Sequence, residues 1–94
     1  MFVRVVRFTD VNPEKVAAMV AGIEESDGPP PDVPATGLQV LLDEDQGTAV
    51  VLQMFDTAED MRAGDQAMGR MDAARTPGTR ASVDMCELKL ERHQ

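Results

Sequence analysis

Aromatic residues are scarce in this sequence of 94 residues, which has three Phe and neither Trp nor Tyr. Cysteine and histidine occur once each, as Cys86 and His93, so neither an internal disulfide nor a Cys/His metal cluster is expected. Cys86 lies in a strand-like pattern and is interpreted as a packing residue, with a nucleophile as the alternative. His93 is next to the C-terminus, where side chains are usually mobile, and no role is assigned to it.

Long hydrophobic runs are also missing, since no segment approaches the roughly 20 apolar residues that a membrane span needs. The first ten residues carry charges too early for a signal peptide, so we expect a cytoplasmic protein. Basic residues are few and scattered, nine against 17 acidic ones, and the net charge is −8. This charge repels phosphate backbones and anionic lipids, which argues against nucleic-acid and membrane partners.

The chain does contain many apolar residues, 43% of the total, and seven of them are Met. This apolar content is sufficient for one globular domain over residues 1–94. Segments rich in β-branched and apolar residues predict four strands. They are Phe2–Thr9, Leu38–Glu44, Thr48–Phe55 and Arg80–Glu91. The strands flanking the turn that contains Asp43–Gln46 predict a hairpin. This acidic turn is interpreted as solvated, with a weak cation site as the alternative.

Two helices are predicted between these strands. Asn12 is a suitable N-cap before Pro13, and Thr57 caps the second helix. Each helix carries one apolar stripe at helical spacing. The stripes are Val16, Met19, Val20 and Ile23 in the first helix, and Met61, Gly64, Met68 and Met71 in the second. The Pro-rich segment 27–37 is interpreted as a surface connector, with a cover over a cavity as the alternative.

The element order β-α-β-β-α-β predicts an α+β fold of the ferredoxin-like type. We expect a four-stranded antiparallel sheet in the order 4-1-3-2, with both helices on one face. The strands carry apolar residues on both faces, for example Val50, Leu52 and Met54 against Val51 and Phe55. Two helices cover only one face, so we expect the other face to be covered by a second copy in a homodimer, onto which the C-terminal segment extends as an arm.

The third strand and the second helix together resemble a known family. The resemblance rests on a strand that ends in an aromatic residue, an Asp-Thr turn, an acidic pair and a helix with regularly spaced Arg and Ala. These residues are Phe55, Asp56, Thr57, Glu59, Asp60, Arg62, Ala63, Ala67 and Arg70. The segment resembles dimeric α/β-barrel proteins of the antibiotic-biosynthesis-monooxygenase type.

The resemblance implies a dimeric α/β barrel. The superfamily that the segment resembles includes monooxygenases that work without a cofactor. The haem-degrading branch of the superfamily relies on a His in the second helix and on a Trp, and this chain has neither at those places. We therefore expect no haem. We also expect no metal and no other cofactor, because the sequence has neither a Cys/His cluster nor the ligand spacing of a calcium loop.

Polar residues inside the predicted strands are the candidate site residues, because a buried charge must find a partner. They are Arg4, Arg7, Gln39, Gln53 and Asp84, and an Arg7–Asp84 pair is expected between adjacent strands. A ligand pocket between sheet and helices is predicted, although no catalytic residue is assigned. Its candidate lining residues are Arg7, Phe8, Gln53, Phe55, Met61 and Met68.

Two classes of function remain open. The first is a non-catalytic ligand-binding or interaction module. The second is a cofactor-independent oxygenase that acts on an aromatic or polyketide-like molecule, with Arg and Gln holding the substrate oxygens. The pairing of polar residues between strands or across a dimer interface is the structural alternative for the same side chains.

Overall fold

The computed structural model describes residues 1–26, 33–69 and 76–93. Six elements follow one another in the predicted order. They are β1 (Phe2–Thr9), α1 (Pro13–Glu25), β2 (Gly37–Asp43), β3 (Thr48–Phe55), α2 (Ala58–Gly69) and β4 (Thr79–Glu87). The α+β ferredoxin-like prediction is confirmed. The last strand is shorter than expected, because regular strand structure ends at Glu87 rather than at Glu91.

The four strands form one antiparallel sheet in the order β2-β3-β1-β4, which is the predicted order. In the central ladder, Phe2 of β1 is opposite Phe55 of β3, and Phe8 is opposite Ala49. The β1–β4 ladder shifts its register between Arg7 and Phe8. The sheet within one chain is open and is not closed into a barrel.

Alternation along the two central strands separates a helix-side face from an open face. The helix-side face contains Phe2, Arg4, Val6 and Phe8 of β1 with Ala49, Val51, Gln53 and Phe55 of β3. The helix α2 packs on this face against both strands. The open face contains Val3, Val5 and Arg7 of β1 with Val50, Leu52 and Met54 of β3. Its apolar side chains are half-buried, and Arg7 is exposed.

Side-chain caps explain where the two helices begin. The Asn12 side-chain oxygen accepts the Glu14 backbone N–H at 2.8 Å, and Pro13 follows as the first helical residue. Before α2, the Thr57 hydroxyl oxygen accepts the Asp60 backbone N–H at 3.0 Å. Both caps agree with the sequence prediction. Each satisfies a backbone N–H donor that the first helical turn leaves unpaired.

The buried face of α2 contains Met61, Gly64 and Ala67, with Met68 half-buried beside them. Met71, the fourth member of the predicted stripe, lies outside the described residues. Gly64 lies so close to the sheet that a Cβ atom there would be 2.7 Å from the Phe55 ring. The absence of a side chain at this position lets α2 approach the sheet.

The apolar core on the helix side consists of two clusters rather than one. The first contains Val33, Phe55, Met61 and Ala67, with Phe2, Ala35 and Met68 packed against it. The second contains Val6, Phe8 and Ala49, with Val11, Val51 and Val83 around it. In the strand register, Arg4 and Gln53 lie between these clusters, so a polar pair interrupts the apolar layer.

Candidate functional site

Arg4 is the charged residue at the centre of the helix-side face, with only 2% of its surface exposed. Its guanidinium has partners on two different elements. Nε donates to Oδ1 of Asp65 on α2 at 2.8 Å, and Nη1 donates to Oε1 of Gln53 on β3 at 3.1 Å. These bonds offset the free-energy cost of removing a guanidinium from water. That cost is on the order of several kcal/mol per ion.

Gln53 reaches Arg4 because the two residues are directly opposite each other in the β1–β3 ladder. Side chains of opposite residues on one face of an antiparallel pair are within contact distance. Gln53 is 6% exposed, so its amide oxygen also needs a partner within the protein. We call this buried Arg4–Gln53 pair the polar rung.

Asp65 contacts the polar rung from α2 and is more exposed to solvent than Arg4 or Gln53. Its side chain is 40% exposed, whereas the guanidinium that it contacts is almost completely buried. Asp65 comes four residues after Met61 and three residues before Met68, and therefore lies on the same side of α2 as these methionines. The carboxylate thus lies at a boundary between solvent, the buried cation and an apolar surface.

The six residues predicted to line a pocket are divided among several places. Phe55, Met61 and Met68 belong to the first core cluster, and Gln53 belongs to the polar rung. Phe8 lies beyond the rung in the second cluster. Arg7 lies on the open face, because it is adjacent to Phe8 in a strand and adjacent strand residues point to opposite faces.

The expected Arg7–Asp84 pair is not among the ion pairs of the described residues. The register explains this result, since Arg7 is opposite Ser82 and Asp84 is opposite Val5. The two charged residues are diagonal neighbours on the open face rather than direct partners. Of the charged candidates Arg4, Arg7 and Asp84, Arg4 is the one that has an ion-pair partner among the described residues.

Asp65 is the residue of the polar site that sequence reasoning missed. Arg4 and Gln53 were considered as polar strand residues, but Asp65 was not considered as their partner. The available signal was its spacing, because an acidic residue four positions after Met61 and three before Met68 lies beside the apolar stripe. A buried Arg in β1 requires such an acid nearby.

A second feature is a concavity of about 430 Å³ at one end of the open face. Its walls are mainly apolar and come from Met1, Val3, Leu52, Met54 and Leu88, with Thr36, Gly37 and Glu91 at its edges. The Leu88 backbone N–H donates to the Met1 carbonyl oxygen at 2.9 Å, so the chain after β4 stays beside the start of β1. We call this concavity the open-face groove.

The other residues considered in the sequence either make hydrogen bonds within the chain or are exposed to solvent. The Asp43 side-chain oxygen accepts the Gln46 backbone N–H at 3.2 Å, which closes the acidic turn. Cys86 is a free, exposed thiol, and exposed His93 contacts Glu91 at 2.8 Å. Among the described residues, there is no group of three or more His, Cys, Asp or Glu placed to hold a metal ion.

No protein-family model matches this chain, and no curated protein sequence matches it significantly. The likeness to monooxygenase-type dimeric barrels therefore rests on the segment around Phe55 and on the order of the elements. Within the ranges that the structure describes, neither helix is long and apolar enough to cross a membrane.

Proposed function

We propose that this chain is a cytoplasmic, non-catalytic interaction module that forms a homodimer through the open face of its sheet. The observation that supports this proposal best is the apolar centre of that face. Val3 and Val5 of β1 lie beside Val50, Leu52 and Met54 of β3, and all five remain partly exposed. A sheet face that is permanently in water normally carries polar residues at such positions.

The size of the open face is compatible with a small but stable interface. Four strands of about seven residues give an outline of about 23 Å by 19 Å, or about 440 Å². Two copies therefore cover about 900 Å² before the projection of side chains is counted, close to the lower limit of about 1,000 Å² for a specific interface. Met1 and Leu88 of the open-face groove lie outside the four strands and add further apolar surface to this outline.

The charges at the margin of the open face support a second copy as the partner. Arg7 is exposed there and makes no ion pair within the described residues, and Asp84 on the same face is likewise without one. A two-fold axis brings each patch against its own copy, so Arg7 of one protomer can meet an acidic residue of the other. Complementary charges at the margin fix the register of such an interface.

The polar rung supports a non-catalytic module over an enzyme. Among the residues that the structure describes, Arg4 is the buried charged residue, and its Nε and Nη1 atoms are bonded to Asp65 and Gln53 within the fold. These contacts stabilise the packing of α2 against the sheet, so the buried charge does not require a catalytic role. The resemblance to monooxygenase-type domains enters this proposal through their dimeric α/β barrel, in which two such sheets pack together.

Light scattering coupled to size-exclusion chromatography tests the dimer directly. We expect wild-type protein at micromolar concentration to have twice the chain mass of 10.2 kDa. Leu52→Glu places a carboxylate in the middle of the open face and is expected to give a monomer, because burying an unpaired charge is costly. A monomeric wild type would overturn the proposal.

A matched control adds the same charge away from the interface. Ala21 is exposed on α1, so Ala21→Glu changes the net charge as much as Leu52→Glu does. The control should remain dimeric. Circular dichroism of both variants establishes that the fold is intact, so that a monomeric Leu52→Glu protein is not simply unfolded.

A cofactor-independent oxygenase with an aromatic or polyketide-like substrate is the second candidate. It is favoured by the apolar cluster that contains Phe55, Met61 and Met68, because Gln53 lies two residues before Phe55 on the same face of β3. Apolar surroundings with one polar group suit a hydrophobic molecule that carries oxygen atoms. Oxygen consumption with an anthrone as the probe, lost in Gln53→Leu and retained in Ala21→Glu, would support it over the non-catalytic module.

A further inference from the structure

The contact between Asp65 and Arg4 joins two groups with very different access to water. The Asp65 side chain is 40% exposed, and the guanidinium that it contacts over 2.8 Å is 2% exposed. A position that is open to solvent on one side and adjoins a buried cation on the other is suited to an anion from solution. In this structure, the position is filled by a carboxylate of the chain itself.

A rotation of the Asp65 side chain is sufficient to move its carboxylate into water, because part of the side chain is already there. The Arg4 guanidinium is held in the buried layer, since Arg4 lies in the central strand β1 and its Nη1 atom donates to Gln53. A buried guanidinium without an anionic partner is unfavourable. Release of Asp65 therefore leaves a site with a strong preference for another anion.

The surroundings define what kind of anion fits. The group that occupies the site is a monocarboxylate, and the planar fork of an Arg side chain matches carboxylate geometry well. Half-buried Met68 is on the same side of α2 as Asp65, and half-buried Phe2 is on the same face of β1 as Arg4, so both leave some apolar surface open beside the site. A carboxylate with an apolar tail satisfies both kinds of surface. A dianion would encounter greater repulsion from a protein of net charge −8.

We propose that the polar rung is a binding site for a small monocarboxylate with an apolar tail, and that Asp65 is an internal competitor for the same site. The ligand carboxylate accepts from Arg4, with Gln53 as a second hydrogen-bonding side chain, and the Asp65 carboxylate moves to solvent. One carboxylate replaces another at the guanidinium, so the buried cation remains paired, while the complex as a whole gains one negative charge. The site is on the helix side of the sheet and does not require the dimer proposed above.

Isothermal titration with hexanoate, with hexanamide as the uncharged analogue, tests this site near 0.15 M salt, where long-range repulsion is largely screened. Wild-type protein is expected to bind hexanoate weakly and hexanamide not at all. If Asp65 holds Arg4 in about 90% of molecules, its removal in Asp65→Asn should tighten hexanoate binding about tenfold. Arg4→Met should abolish binding.

Glu59→Gln is the matched control, because it removes one negative charge from an exposed position of the same helix. It should bind hexanoate with wild-type affinity. A tightening in Glu59→Gln equal to that in Asp65→Asn would show a general charge effect and overturn the proposal. Binding confined to Asp65→Asn would overturn it too, since Asp65 would then be a permanent structural partner of Arg4.

A measurement on the wild type avoids dependence on variants that fail to fold. In ¹⁵N-labelled protein, the side-chain Nε–H resonance of Arg4 should move on addition of hexanoate, because its acceptor changes from Asp65 to the ligand. Hexanamide should leave the resonance in place. An Arg4 signal unaffected by a saturating excess of hexanoate would overturn the proposal, whatever the variants show.

Discussion

Arg4 and Gln53 are directly opposite each other on adjacent strands, and the Arg4 Nη1 atom donates to the Gln53 amide oxygen at 3.1 Å. Removal of one partner leaves the other buried. Arg4→Met should therefore lower the free energy of unfolding by about 1–3 kcal/mol, because the Gln53 amide loses a buried hydrogen bond. Urea unfolding at a fixed protein concentration measures this change.

The double variant Arg4→Met/Gln53→Leu should recover most of that loss. It replaces the polar rung with apolar side chains that continue the layer between the two core clusters, and such replacements are often nearly neutral. We expect an unfolding free energy within about 1 kcal/mol of the wild type. A double variant that is less stable than Arg4→Met would contradict this account of the rung.

Gly64 on α2 should not tolerate alanine, although alanine is the better helix former. The new Cβ atom would be 2.7 Å from the Phe55 ring, and Phe55 is completely buried. We expect a loss of about 1–3 kcal/mol from this overpacking. Thermal unfolding of Gly64→Ala measures it, with Gly22→Ala as the comparison.

Gly22 lies in α1, and a Cβ atom there would have no atom within 4 Å apart from its chain neighbours and the backbone of its own helix. Gly22→Ala should therefore stabilise the protein by about 0.5–1 kcal/mol through helix propensity alone. The two substitutions are chemically identical and should change stability in opposite directions. Equal effects would mean that α2 does not approach Phe55 as closely as described.

Cys86 offers an independent test of which face is covered in solution. It is exposed in the single chain and pairs with Val3 across the β1–β4 ladder, on the open face. In a dimer closed through that face, a bulky maleimide should modify Cys86 more slowly than in the monomeric Leu52→Glu variant. Equal modification rates in a dimeric wild type would place the interface elsewhere on the molecule.

The cap of α1 should contribute about as much stability as side-chain caps usually do. Asn12→Ala removes the oxygen that accepts the Glu14 backbone N–H at 2.8 Å. We expect a loss of about 1 kcal/mol. Asn12→Asp retains an acceptor and should retain the stability, so a large loss in both variants would indicate a role for Asn12 other than capping. Thermal unfolding distinguishes these outcomes.

The architecture was predictable because local signals agreed with one another. Asn12 before Pro13 and Thr57 before Ala58 mark the helix starts, and alternation assigns Val51 and Phe55 to one face. The end of β4 was less predictable, since the apolar alternation continues through Leu88 and Leu90 although strand pairing ends at Glu87. Leu90 is 77% exposed, so its pattern alone does not show where the ladder stops.

The polar site was predictable only in part, because alternation does not show which face of a strand a helix covers. Arg4 and Arg7 are three residues apart in β1 and therefore point to opposite faces. Sequence reasoning chose Arg7 for the pocket, whereas α2 covers the face that contains Arg4. Phe2 and Phe8 share that face and were the available signal. The contact with Asp65 depends on the position of α2 over the sheet, which no local pattern specifies.

The polar rung also determines how β1 and β3 align. A slip of two residues would keep every side chain on its own face, so the alternation of apolar residues alone cannot prevent it. Such a slip would place the Arg4 guanidinium opposite Val51 or Phe55 instead of Gln53, and would leave two buried polar groups without their partners. The pair thus stabilises one alignment of the central strands and makes the two nearest alternatives less stable. In a sheet rich in interchangeable Val and Leu side chains, this discrimination favours a single folded state.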